Sequence, residues 1–397
     1  MARTEYLRVA ARAGTDRKIN WDLIRVVAVF AVMLGHITFV GPAVMPGIDP
    51  YPVEFTLRMG ASVLLVISAF FACVTIRRDE PGRWLRRRLA RLLPAYLAVV
   101  VVTYVACRVA VLGFNGWQVR HGLIGVLFGT PYATSDAEHA LWYLPTPADL
   151  LGNLTLVQPW SPEVEFLDWA HWTLPVQVSA FVAAAILWRH RLRGARLRTL
   201  ARVLVFVPVA LLPLSRLPAS LAFEIGTFES GTGIGHTYLF GLGIAIWLWS
   251  RQEIGHVELA GLGAVGVALH ASKAPEPVAA AVGFAVMLGL IAAAARGPEW
   301  DNPVLRALRR PIVWLAGISY GVYLVHQQLG FVLARVLSDA AVPGWPRLII
   351  VTGAAVLAGW ALTVFVERPA YRALTRPPER ARGPEPERAP EPVGGRL

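Results

Sequence analysis

The sequence predicts an all-α protein, a polytopic transmembrane helical bundle of about 10 spans with both termini in the cytoplasm. Three observations carry this reading. The 397 residues are 55% hydrophobic and only 16% charged, with a mean hydropathy of +0.51, too little polar surface for a soluble chain of this length. Apolar runs of about twenty residues recur along the chain. The arginines gather in alternate gaps between those runs, the distribution that orients membrane proteins.

The predicted spans fall at 22–41, 59–76, 92–112, 172–188, 203–217, 234–249, 257–271, 278–295, 312–335 and 347–366. The fifth and seventh are short, which fits a thinned, tilted or partly re-entrant segment; the ninth is long enough to tilt or to run past the lipid. Arg3, Arg8, Arg12, Arg17 and Lys18 precede the first span, and no small-residue cleavage site follows, so it reads as a retained span rather than a signal peptide. "RRDEPGRWLRRRLAR" (77–91) follows the second span and "RHRLRGARLRTLAR" (189–202) the fourth; Arg306, Arg309 and Arg310 precede the ninth. With ten spans these share one side, and the positive-inside rule makes it the cytoplasm of a multi-pass plasma-membrane protein.

Three regions result. Residues 1–18 form a basic cytoplasmic N-terminus; 19–372 form the membrane domain, with a Trp-, Pro- and Gly-rich outer loop over about 113–171. Residues 373–397 form a cytoplasmic Pro/Glu/Arg-rich tail, too poor in apolar residues to offset the entropy of folding and so expected to be disordered.

The net charge of +12 would suit nucleic acid, but its placement between apolar runs points to membrane lipid, and no nucleic-acid partner is expected. The only cysteines, Cys73 and Cys107, lie within apolar runs, which argues against a disulfide framework or a thiolate metal site. His121, His139, His171 and His236 have no zinc-like spacing, and no metal is expected. "FESGTGIGHTYLFGLG" (228–243) is Gly-rich but lacks the Lys-Ser/Thr ending of a nucleotide loop.

The polar residues inside the spans carry the chemistry. Arg25 opens the first span on the inner side, and His36, eleven residues on, lies ~16 Å outward at 1.5 Å per residue. His326, in the ninth span, reaches a similar depth, and Gln177, near the outer start of the fourth, can meet the same layer. Buried polar groups need partners and at such depth usually face a bundle interior or a pathway. Two roles stand open for the histidines, a structural hydrogen bond or a general base acting on a hydroxyl. On the inner side, Arg88 and Arg91 share a helical face ahead of Pro94, a pairing that suits either a ligand phosphate or lipid headgroups. Arg25 either pairs with Glu367 or extends that cluster. Ser68 beside Ala69 reads as a packing serine rather than a nucleophile.

In order along the chain, Arg25 and His36, the "ISAFF" stretch, Arg88, Arg91 and Pro94, "NLTLVQPW" (153–160), "GISYGVYLVH" with Ser319, Tyr320, Tyr323 and His326, and "VERP" with Glu367 and Pro369 resemble the acyltransferase-3 family of integral membrane O-acyltransferases. The resemblance covers about residues 18 to 372. It departs at "WTLPVQ", where Gln177 stands in place of the usual Glu and cannot carry a negative charge, and at Ala69, where a Gly is usual. The resemblance implies acetyl-CoA or another acyl-CoA as donor, bound near Arg88, Arg91 and Arg25, and a hydroxylated glycan, glycolipid, lipid-linked sugar or secondary metabolite as acceptor. It also implies His36 as general base, His326 positioning the acceptor or relaying a proton, and Tyr320, Ser319 or Gln177 at the developing oxyanion. Direct attack needs no acyl-enzyme. Two rival readings remain at this level: a transporter or flippase, which intramembrane histidines also suit, and a catalytically inactive scaffold, which Gln177 favours.

Overall fold

The computed structural model describes residues 18–133, 141–189, 194–212 and 219–376. The basic stretch ahead of Lys18, residues 134–140 with His139, the loop 190–193, the end of the fifth predicted span and the tail from 377 lie outside the described residues.

Helix α1 (Ile19–Gly35) continues through a π-helical turn, His36–Val40, into a last short turn, Gly41–Val44. Helices α2 (Gly60–Ile76) and α3 (Pro81–Phe114) follow. A two-residue antiparallel pair, β1 (Trp117–Gln118) and β2 (Tyr132–Ala133), brackets α4 (Gly122–Phe128). Then come α5 (Pro147–Leu154), α6 (Thr173–Arg189), α7 (Ala195–Leu211), α8 (Ala219–Thr232), α9 (Thr237–Ser250), α10 (His256–Ala271) and α11 (Pro277–Arg296). Helices α12 (Pro303–Val325) and α13 (Gln328–Asp339) are separated by a break at His326–Gln327. Helix α14 (Gly344–Leu362) passes through a second π turn, Thr363–Glu367, into α15 (Arg368–Thr375), so helix extends past the boundary expected at 372.

Among the described residues, 5 stretches are long and apolar enough to cross a membrane: 19–44, 81–114, 169–188, 277–296 and 344–375. Shorter apolar helices at 60–76, 234–250 and 256–271 accompany them. The chain is an all-α, multi-spanning membrane protein.

Packing follows from which faces are apolar or small. Helix α9 is buried from Tyr238 to Leu248 and forms the centre of one half of the bundle, against α2 and α7. Helix α1 lies against α2 and α12. Small residues let backbones close in where helices cross. A Cβ at Gly243 would meet the Val66 carbonyl oxygen at 2.5 Å. A Cβ at Gly359 would run into the backbone of Val322, and one at Gly321 into Gly359. Gly359→Ala is therefore expected to destabilise the α12–α14 crossing by about 1–3 kcal/mol, read as a lower melting temperature in detergent. An unchanged melting temperature would show that the crossing can open without cost.

The two ends are tied differently. At the arginine-rich end, buried Asn20 donates to the Pro298 carbonyl (2.9 Å) and accepts from Trp300 N–H (2.7 Å). Glu299 accepts from Ile19 N–H (3.2 Å) and Arg309 (2.7 Å), and the Arg309 hydrogen bond holds its carboxyl below the usual range. These bonds seat the start of α1 on the α11–α12 connection. At the opposite end, two deeply buried arginines clamp loops. Arg347 donates to the Asp49 side chain (3.1 Å), Ser338 Oγ (2.8 Å) and the Asp49 and Pro50 carbonyls (2.8 Å each). Arg108 gathers four backbone carbonyls around the end of α4 and the start of α5.

Candidate active site

Helix α1 presents Arg25 near one end and His36 at the other, within its π turn. Such a turn inserts an extra residue into the helical ladder and re-aims the side chains around it. The break after α12 delivers the partner. His326 Nδ1 lies 2.7 Å from the Tyr323 carbonyl, an oxygen that a continuing helix would have given to a backbone N–H. The imidazole thus substitutes for a backbone donor, and the helix stops.

The other face of that ring meets α1. His36 Nδ1 and His326 Nε2 are 2.9 Å apart, with ring planes within 9° of parallel. Their partners assign the tautomers. A carbonyl only accepts, so His326 carries its proton on Nδ1. With both rings neutral, His326 Nε2 is then an acceptor, and His36 must donate from Nδ1. The lone pair left on His36 is at Nε2. The His326 side of the pair is fully buried, whereas His36 is half-buried. Val32, Ala170 and Tyr323 form the apolar cluster alongside, with Ala61 and Leu64 packed on it.

At the arginine-rich end, the second π turn brings Glu367 to Arg91, at 3.5 Å, and Thr363 Oγ1 donates to Glu367 (3.3 Å). Arg91 keeps 57% of its side chain exposed. Arg88 donates to the Phe71 carbonyl (3.1 Å) and Thr75 Oγ1 (2.8 Å) at the end of α2, and its guanidinium lies over the rings of Trp84 and Phe181. Arg25 sits 3.8 Å from Asp22 of its own helix. The structure therefore pairs Glu367 with Arg91 and Arg25 with Asp22.

An imidazole with a free lone pair at one end of a helix and a cluster of guanidinium groups at the other suits the transfer of a group from a phosphate-bearing donor to a hydroxyl. A family model described as an acyltransferase domain matches residues 18–364. The chain belongs to the acyltransferase-3 family. No curated protein and no solved structure matches it. It is a membrane acyltransferase at the level that this family defines.

In this acyltransferase, three of the residues expected around the histidines make their bonds elsewhere. Gln177 Nε2 donates to Ser68 Oγ at 2.7 Å, joining α6 to α2. Ser319 Oγ donates to the Ala316 carbonyl of its own helix (2.9 Å). Tyr320 hydroxyl donates to the Leu92 carbonyl of α3 (2.8 Å), one residue beyond Arg91. Its neighbour in the motif, Tyr323, donates to the Ala170 carbonyl (2.7 Å) and contacts Thr173 Oγ1 (3.0 Å). Cys73 and Cys107 are both free and buried. Among the described residues no cluster of His, Cys, Asp or Glu could hold a metal ion.

Two residues near the histidines escaped the sequence reading. Arg58, whose guanidinium lies over the Phe39 ring at 5.4 Å, is within electrostatic range of His36. Asp168, 1% exposed, is within range of His326. The only sequence signal for Asp168 is its place as an N-cap before "WAHW".

Proposed function

We propose that this acyltransferase moves an acyl group, acetyl in the simplest case, from cytoplasmic acyl-CoA to a hydroxyl of a cell-envelope glycan, glycolipid, lipid-linked sugar or related secondary metabolite. The observation that carries the proposal is the hydrogen-bonded pair of His36 and His326, held at the far ends of two helices, α1 and α12, that both begin among the arginines. In this reading the bundle has about ten spans, with both termini and the arginine-rich end in the cytoplasm and the histidine pair toward the outer face; the arginine-rich loops support that orientation.

Arg91 is the most accessible of the cluster and exchanges Glu367 for a donor phosphate; Arg88 and Arg25 add charge from the same end. His36 is the general base. Its Nε2 takes the proton of the acceptor hydroxyl as the oxygen attacks the thioester carbonyl. When the tetrahedral adduct collapses and the carbon–sulfur bond breaks, the imidazolium returns that proton to the departing thiolate. His326 holds His36 in the tautomer that leaves Nε2 unprotonated. No covalent acyl-enzyme is needed, because the acceptor hydroxyl attacks the thioester directly. In this scheme Gln177 and Ser68 line the approach as a polar pair, and Ser319 and Tyr320 serve the framework through the bonds described above.

The test is label transfer. Protein reconstituted in liposomes is given acetyl-CoA labelled in the acetyl group and a panel of envelope glycolipids and glycans. Label is expected on an acceptor hydroxyl, with free CoA released in equal amount. Uptake of an acceptor with no labelled ester would overturn the proposal in favour of a transporter.

A further inference from the structure

We propose that Asp168 is a positioning residue for the histidine pair: it pins the helix break that carries His326 and places a fixed negative charge on the His326 side of the pair, which gains a positive charge during transfer. This rests on the reading of His36 as general base.

The segment 168–173 is stitched to 323–328 by four contacts. Asp168 Oδ2 accepts from Gln328 N–H at 2.9 Å, the residue that opens α13 after the break. His171 Nε2–H donates to the Leu324 carbonyl (2.9 Å), Tyr323 hydroxyl to the Ala170 carbonyl (2.7 Å), and Thr173 Oγ1 meets the Tyr323 hydroxyl (3.0 Å). His326 lies in the middle of the stitched stretch, so these bonds set where its Nε2 points. Asp168 Oδ1 accepts from Ala170 N–H (2.8 Å), which fixes the carboxylate itself.

Both Asp168 oxygens accept backbone N–H groups, the pattern of an ionised carboxylate. It is 1% exposed, and among the described residues no Lys or Arg forms an ion pair with it. A buried anion held by neutral donors alone costs folding free energy. A cation that appears only during the reaction offsets that cost at the moment it forms. When His36 accepts the hydroxyl proton, the pair gains one positive charge, and a preorganised anion nearby stabilises that state more than the resting one. The fixed charge also answers the sequence departure at position 177, where Gln brings none.

The groups facing the pair are Arg58, which opposes a second cation, and His171, Tyr323 and Asp168, of which Asp168 alone is anionic. Asp168→Asn removes the charge and keeps one of the two acceptor oxygens, so it also gives up the bond to either Ala170 or Gln328. Measured with reconstituted protein, it is expected to lower kcat about tenfold or more with KM for acetyl-CoA unchanged. The acid limb of the pH–rate profile is expected to move to lower pH, because a base that has lost a neighbouring anion holds its proton less tightly. Asp168→Glu is expected to restore the limb toward its original place. The limb position does not depend on how much protein is folded; Asp168→Ser, which keeps the cap to Ala170, gives a second uncharged variant. An unshifted limb in both uncharged variants, with His36→Gln inactive, would overturn this inference alone. Full activity of His36→Gln would overturn the reading beneath it.

Discussion

His36→Gln is expected to abolish acyl transfer, with kcat reduced about 10²- to 10⁴-fold, while acyl-CoA still binds. The substitution is chosen for what it keeps. A glutamine amide is close to imidazole in length and can still donate to His326 Nε2, now 2.9 Å from His36 Nδ1. It has no lone pair of sufficient basicity to take a hydroxyl proton. Calorimetry with CoA and the label-transfer assay, run on the same preparation, separate binding from chemistry. Turnover near the wild-type rate would place the base elsewhere.

The largest expected loss of stability is at Arg108. This arginine of α3 is 2% exposed and donates to four backbone carbonyls: Val126 (2.6 Å), Pro145 (3.1 Å), Gly125 (3.3 Å) and Gly129 (2.7 Å). Its planar fork reaches around the C-terminal turn of α4, where the Gly125 carbonyl also takes the Gly129 N–H, and on to the start of α5. Arg108→Met preserves much of the volume and removes every donor. Leaving the Val126, Pro145 and Gly129 oxygens without this donor is expected to cost about 3–5 kcal/mol. The readouts are melting temperature in detergent and hydrogen exchange over residues 122–129. Arg108→Lys should recover only part of the loss, since one ammonium cannot span the same carbonyls. A melting temperature equal to wild type would mean that water reaches the site and replaces the guanidinium.

Much of the membrane architecture is legible in the sequence, because hydropathy is a local property. The apolar runs announce α1, α3, α11 and α14 without reference to anything distant. The axial placement of His36 and His326 follows in the same way, since the rise of a helix per residue is constant. What depth arithmetic cannot supply is rotation about each helix axis. Gln177 lies at a suitable depth, yet its amide faces Ser68. Tyr320 is six residues from His326, and its hydroxyl turns toward Leu92 and the arginine-rich end. The sequence treats 312–335 as one span; the structure breaks it at His326, because the imidazole takes a carbonyl from its own helix.

The sequence by itself determined the class of the protein, its family and the levels at which its polar residues lie, all of which depend on near neighbours and on helix pitch. Only the tertiary structure decided which of those residues meet. His36 and His326 are 290 positions apart, and Asp168 and Gln328 are 160 apart. Such contacts are chosen by how whole helices rotate and pack, by glycine crossings and by loop clamps, and no local pattern encodes that choice.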